Sequence, residues 1–302
     1  MLRKNKTLLI VAGPTAVGKT DLCINLAKKF NTNIISADSR QFYKEINIGT
    51  AKPSKTQLAE VPHYFIDSLS IHQDYDGGKF EMDALQLLDR LFLHLDLVIM
   101  TGGSGLYLDA VIKGFDAMPA VDPSVRAALN ETYEKEGLVT LQKKLLDVDP
   151  AYYQKVDLNN PQRLIRALEV YLSSGKPYSS FRKQQVTPRP FNTIKIALDR
   201  DREELYRRID QRMDEMIAEG LFDEATALYP HRSHNALQTV GYKEIFGYLD
   251  GKYDKEEAVR LLKRNSRRYA KRQITWFRKD ESYQWFHPSQ TQEIIEYVLR
   301  SQ

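Results

Sequence analysis

Residues 7–30 read TLLIVAGPTAVGKTDLCINLAKKF, and this stretch constrains the fold more than any other. From Thr7 to Ala12 the chain is apolar and β-branched, which suits a strand buried on both faces. From Asp21 to Phe30 the apolar residues Leu22, Leu26 and Phe30 recur at helical spacing. Between the two runs lies GPTAVGKT, a match to G-x-x-x-x-G-K-[ST] in the strand-to-helix context that the motif requires.

Further strand patterns occur at NIISA (33–37), LDLVIMTGG (95–103) and TIKIALD (193–199), with helical patterns at 79–94 and 105–113. Strands alternating with helices predict an α/β fold with a parallel sheet. After Phe115 three helical segments follow without a convincing strand until TIKIALD. The expected organisation is a P-loop α/β core over 1–115 and 192–302, with a helical C-terminal region and an all-helical insertion over 116–191. Within the insertion, DPSVRAALNETYEKEG offers Asp122 as N-cap, Pro123 at the first helical position and Gly137 as stop. NPQRLIRALEVYLSSG repeats the device with Asn160, Pro161 and Gly175.

With 302 residues, 42% of them hydrophobic, the chain can bury a substantial core. No run approaches the roughly 18 apolar residues of a membrane span, and MLRKNKTLLIVAG is too short in apolar length for a cleaved signal. A cytoplasmic protein without membrane contact is expected. The single cysteine, Cys23, excludes an internal disulfide and a cysteine-rich zinc site, and its helix-patterned neighbours read it as buried filling. A formal charge of +4 names no partner, but the charge is clustered. Between Arg260 and Lys279 there are nine Lys or Arg and no Asp or Glu, interleaved with Tyr269, Trp276 and Phe277. Such a tract is either a solvated basic helix or a surface for a nucleic-acid backbone.

The loop residues Gly13, Pro14, Thr15, Ala16, Val17, Gly18, Lys19 and Thr20 have the chemistry of a polyphosphate grip. The glycines let the backbone curl so that amides face phosphate oxygens, Lys19 brings a point charge, and the Thr20 hydroxyl can ligate Mg²⁺. The motif specifies a phosphate chain rather than a nucleotide, although it also forms the ATP-binding loop of kinases. A nucleotide-hydrolysing P-loop protein adds an Asp at the end of a second strand, whereas LVIM here runs into Thr101, Gly102 and Gly103. The comparable carboxylate is Asp38 in SADSRQFY, which faces the same crevice as Lys19 or caps a helix starting near Ser39. TGGSGLYLDA, with Ser104, is either a third ligand-facing loop or a packing turn.

Taken together, GPTAVGKT, SADSRQFY, IGTAKPS, GGSGLYLDAV, NPQRLIRALEVY, RIDQRMDEMIAEGL, TVGYKEI and YAKRQITWFR occur in the order of the tRNA dimethylallyltransferase (tRNA isopentenyltransferase) family, which the chain resembles over nearly its whole length. The chain ends at Gln302, without the zinc finger that some eukaryotic relatives append, so the bacterial type is the closer match.

The resemblance implies transfer of a dimethylallyl group from dimethylallyl diphosphate to N6 of adenosine 37, beside the anticodon, in tRNAs reading codons that begin with U, with release of pyrophosphate. It implies Mg²⁺ as cofactor, the tRNA anticodon stem-loop as partner, and a monomer. It makes Asp38 the general base and places Ser104 near the reacting amine, with Asp38, Ser39, Arg40 and Gln41 holding the target base. Gln162, Arg163, Leu164, Ile165 and Arg166 become the second RNA segment, although helical spacing turns Leu164, Ile165 and Leu168 toward a core. Arg126 becomes a further tRNA contact. In RIDQRMDEM, Arg212 is the expected second diphosphate ligand, unless Arg208 and Arg212 only form a solvated face with Asp210 and Glu215. In the basic tract Arg264, Arg268, Lys271 and Arg272 are the expected phosphate contacts. The competing readings are a small-metabolite kinase, a prenyltransferase acting on free adenine nucleotides, and a non-catalytic RNA-binding module.

Overall fold

The computed structural model describes residues 6–182 and 186–302, so the start of the N-terminal stretch lies outside it. Strands β1 (Thr7–Ala12), β2 (Ile34–Ser36), β3 (His63–Tyr64), β4 (Leu97–Gly102), β5 (Asn192–Leu198) and β6 (Gln284–Phe286) form one sheet in the order β3-β2-β4-β1-β5-β6. Every pairing is parallel. β3 and β6, of two and three residues, carry no strand pattern in the sequence. The central strand β1 pairs with β4 from Thr7 opposite Leu97 to Ala12 opposite Gly102, and with β5 from Thr7 opposite Asn192 to Ala12 opposite Ala197. The carboxyl ends of β1, β4 and β5 are therefore level, which is where open parallel sheets bind ligands.

The pleat of β1 divides the core. Leu8 and Ile10 join one apolar layer, while Leu9 and Val11 join the other. Helix α1 (Lys19–Phe30) covers the second layer with Leu22, Cys23 and Leu26. Burial pushes the Cys23 thiol up to about 12, so it is inert filling. The chain continues through α2 (Lys55–Glu60), α3 (Gly77–Leu91) and α4 (Gly105–Lys113), and Phe80 of α3 and Leu108 of α4 fill the first layer.

Contacts divide the chain into two compact units, Met1–Ile112 with Pro188–Gln302, and Lys113–Thr187. The second unit ends a few residues before the expected boundary at 191 because Arg189 belongs to the first. Its guanidinium donates to Val111 O and Ala110 O, both at 2.8 Å, and pairs with Glu81 at 2.6 Å.

The second unit holds α5 (Pro123–Glu136), α6 (Leu138–Val148), α7 (Pro150–Tyr153), α8 (Pro161–Ser174) and α9 (Tyr178–Phe181). Among the described residues five helices stand where three were expected, because α7 and α9 are single turns and too short to carry a 3.6-residue pattern. The long ones start as their caps predict: Asp122 accepts from the Ser124 amide at 2.8 Å and Asn160 from the Arg163 amide at 3.2 Å. Leu129, Leu141, Leu145, Leu164 and Ile165 make this unit's own core.

Back in the first unit follow α10 (Arg202–Ala218), α11 (Leu221–Leu228), α12 (Tyr242–Leu249), α13 (Lys255–Phe277) and α14 (Thr291–Ser301). Among the described residues no helix is long and apolar enough to cross a membrane.

Candidate active site

Beyond the carboxyl ends of β1, β2 and β4 the first unit opens into a cleft of about 410 Å³, lined among others by Lys19, Thr20, Asp38, Arg212, Tyr269 and Gln273. The loop between β1 and α1 forms one wall. Gly18, at φ +107°, caps α1 without a side chain, so the helix presents its first amides and the positive end of its dipole to the cleft. Thr15, Ala16, Gly18, Lys19 and Thr20 line the cleft. Val17 does not; its side chain is fully buried in the apolar layer under α1. Gly13 and Pro14 contribute carbonyls, which accept from Lys19 Nζ at 2.9 and 2.7 Å. The loop is braced by arginines: Arg200 Nε donates to Val17 O at 2.8 Å, and Arg208, which itself lines the cleft, donates from Nε to Ala16 O at 2.9 Å.

Burial pushes the Lys19 ammonium down to about 8; Asp38 opposes the shift and Arg212 adds to it. These three charged groups therefore share one site. Arg212 donates to Ala51 O at 3.2 Å, while Asp210, its suggested partner in a solvated face, is held by Arg267 at 2.5 Å. Both arginines, one turn apart, line the cleft: Arg212 lies beside Lys19, and Arg208 clamps the loop.

Asp38 follows β2 and caps no helix. Its Oδ1 accepts from the Arg40 amide at 3.0 Å in a tight turn, which decides between the two readings of this residue. The turn is tied to the third loop, since the Ser39 amide donates to Ser104 Oγ at 3.3 Å. Gln41 donates to Thr50 O and Ala51 O, both at 3.3 Å, and so positions the IGTAKPS segment. Arg40 reaches across to Asn235 O at 3.0 Å.

The inner face of α13 also belongs to the site, which its composition did not announce. Tyr269 hydrogen-bonds with Ser104, and its hydroxyl is pushed up to about 12 by burial and by the charge of Asp38. Gln273 accepts from the Thr15 amide at 2.9 Å and donates to Gly103 O at 3.0 Å, joining the first and third loops. A Cβ at Gly103 would lie 2.1 Å from Gln273 Nε2, so a side chain there would displace the Gln273 amide from this bridge. The available signal was Gln273 itself, a polar residue inside the buried stripe Leu262, Ser266, Ala270, Phe277.

The outer face of α13 is divided. Arg260, Lys263, Arg267 and Arg278 are paired with Glu257, Asp214, Asp210 and Asp199. Arg264, Arg268, Lys271 and Arg272 form no ion pair among the described residues, and they follow one another at helical spacing along one face. Arg272 lies over the Tyr269 ring at 5.7 Å.

In the helical unit, Gln162 and Arg163 are exposed at the start of α8. Leu164 and Ile165 are 0% exposed, so their expected tRNA contact is corrected: these side chains fill the core of the unit and offer no surface to RNA. Arg126 and Arg166 converge on Glu169, at 3.2 and 2.6 Å, and Arg126 also donates to Gln162 Oε1 at 3.2 Å. Glu169 is buried, and the two guanidiniums neutralise it.

A family model described as IPP transferase matches residues 41–280. The chain is 54% identical to a tRNA dimethylallyltransferase of Cytophaga hutchinsonii, across 97% of both chains. It is similar to the crystal structure of a tRNA isopentenylpyrophosphate transferase from Bacillus halodurans, with TM-score 0.73 and 37% identity over 99% of this chain and 97% of that one. It is also similar to a eukaryotic dimethylallyltransferase acting on tRNA, with TM-score 0.73 and 29% identity over 90% of this chain and 69% of that one. A P-loop sheet with an inserted helical unit, matched over this length, places the chain in the IPP transferase family.

Proposed function

We propose that this chain transfers a dimethylallyl group from dimethylallyl diphosphate to N6 of adenosine 37 in the anticodon loop of tRNAs reading codons that begin with U. The observation that carries the reading is that the Asp38 carboxylate shares, with the cations Lys19 and Arg212, a cleft that begins at a phosphate loop. A carboxylate suited to take a proton thus shares the site with cations suited to hold a diphosphate.

In the reaction the allylic carbon–oxygen bond breaks and the pyrophosphate leaves with the electron pair. The exocyclic N6 forms the new bond to that carbon, and its proton passes to Asp38. The amides at the start of α1, Lys19 and Arg212 stabilise the charge that develops on the leaving group. Tyr269 keeps its proton at neutral pH and fixes Ser104 beside the Asp38 turn. The donor set fits Mg²⁺: Thr20 and Asp21 bring hard oxygen ligands, and no imidazole or thiol lines the cleft among the described residues. Thr20 is the ligand assigned from the chain, and bound Mg²⁺ supplies Lewis-acid neutralisation of the diphosphate.

The target base leaves its stack to enter the cleft, held by Asp38, Ser39, Arg40 and Gln41, while Arg264, Arg268, Lys271 and Arg272 take the phosphate backbone. Arg126, Gln162, Arg163 and Arg166 serve the same RNA from the helical unit. The protein acts as a cytoplasmic monomer. The test is incubation with unmodified tRNA, Mg²⁺ and dimethylallyl diphosphate, followed by mass analysis of the nucleosides. Dimethylallyl adenosine at position 37 supports the reading, and unmodified adenosine under all conditions overturns it.

A further inference from the structure

Away from the cleft, three of the six histidines meet at one point. One ring nitrogen from each of His72, His231 and His234 lies within 4.8 Å of the others. The ring centroids are 5.0, 4.9 and 5.8 Å apart, and His72 stands nearly perpendicular to both of the others. None of the three lines the cleft.

The backbone around them is held in place. Glu45 accepts from the Ser70 hydroxyl at 2.5 Å and the Ile71 amide at 3.0 Å, fixing the turn that presents His72. His231 closes a short 3₁₀ turn, the His234 amide donates back to His231 O at 2.9 Å, and the buried Ala236 and Leu237 anchor the following turn. His231 and His234 thus bring two rings to one side of their turn, and a separate loop supplies the third.

We propose that His72, His231 and His234 form a binding site for a zinc-class divalent transition metal. Three neutral imidazoles with one position left to water are an established donor set for Zn²⁺, whereas Mg²⁺ prefers oxygen. Ligand nitrogens around a tetrahedral ion at about 2.0–2.1 Å stand roughly 3.3 Å apart, so the rings close by at most about 1.5 Å. The ion joins the loop carrying His72 to the segment ending at Asn235, whose carbonyl holds Arg40, two residues after Asp38. It is a clip outside the site of chemistry.

The test uses untagged protein stripped with a chelator, titrated with Zn²⁺ against a chromophoric chelator in excess Mg²⁺. Wild type should bind about one equivalent that Mg²⁺ does not displace and should gain in Tm with Zn²⁺. The variant His72→Ala/His231→Ala/His234→Ala should show neither effect. Co²⁺ should give the visible bands of a four-coordinate nitrogen site in wild type only. Should the triple variant fold poorly, His72→Ala changes one exposed ring, and its Zn²⁺ affinity should fall at least about ten-fold. Equal Zn²⁺ binding by wild type and variants, or none by wild type, overturns the site and leaves three rings that merely pack edge to face.

Discussion

The backbone amide of Thr15 donates to Gln273 Oε1 at 2.9 Å, although the two residues are 258 positions apart. This bond, with Gln273 Nε2 on Gly103 O, sets the spacing between the phosphate loop and the loop that carries Ser104. Replacing Gln273 by Ala should cost about 1–3 kcal/mol, because the buried Gly103 carbonyl and the part-buried Thr15 amide lose their partner. It should also raise the KM for dimethylallyl diphosphate more than the KM for tRNA. Thermal unfolding and two-substrate kinetics check both, and equal effects on the two KM values would count against a role at the phosphate loop.

Asp38→Asn keeps the shape of the turn and removes the proton acceptor. The single-turnover rate should fall on the order of 10²–10⁴-fold, with donor affinity nearly intact. A variant reacting at close to the wild-type rate would remove Asp38 from the role of base.

Lys19 gives the reaction a pH limb. Burial holds its folded pKa near 8, so the ammonium is present below that pH and lost above it. In the free enzyme kcat/KM for the donor should therefore fall as pH rises through about 8. Bound diphosphate favours the charged form, so kcat at saturating donor should hold to higher pH. Asp38 raises the Lys19 pKa, so in Asp38→Asn the limb in donor binding should move to lower pH. A limb that stays in place would separate the two residues.

The quadruple variant Arg264→Ala/Arg268→Ala/Lys271→Ala/Arg272→Ala should bind every substrate tRNA more weakly and by about the same factor. The slope of log affinity against log salt should flatten by about 0.7 to 0.9 for each lost phosphate contact. Affinity for dimethylallyl diphosphate should not move. Arg163→Ala, by contrast, should cost more on some anticodon-loop sequences than on others. An unchanged salt slope in the quadruple variant would leave α13 with its packing role alone.

Glu169→Gln leaves the Arg126 and Arg166 guanidiniums without their shared carboxylate. Both arginines are about 40% exposed, which limits the cost to about 1–2 kcal/mol of stability in the helical unit. A loss in Tm together with weaker tRNA binding shows that Glu169 positions both cations. Unchanged tRNA binding would assign Arg126 and Arg166 to the internal ion pairs alone.

What could be read from the chain alone is what neighbouring residues decide. The strand, glycine loop and helix of residues 7–30, and the starts of α5 and α8, follow from short-range rules: apolar periodicity, positive φ at glycine, and a side chain capping its own helix. The identity of the phosphate grip was legible for the same reason, since the motif is built from consecutive amides. The second wall of the site was not legible. Tyr269 and Gln273 lie in a tract whose composition points to solvent and nucleic acid, and only the packing of α13 turns one of its faces toward Ser104, Gly103 and Thr15. Likewise nothing local reveals that Arg126 of α5 joins Arg166 on Glu169, or that His72 meets His231 and His234. Such pairings depend on which elements become neighbours, and that is settled by burial summed over the whole sheet and its helices, to which a single polar residue adds no pattern of its own.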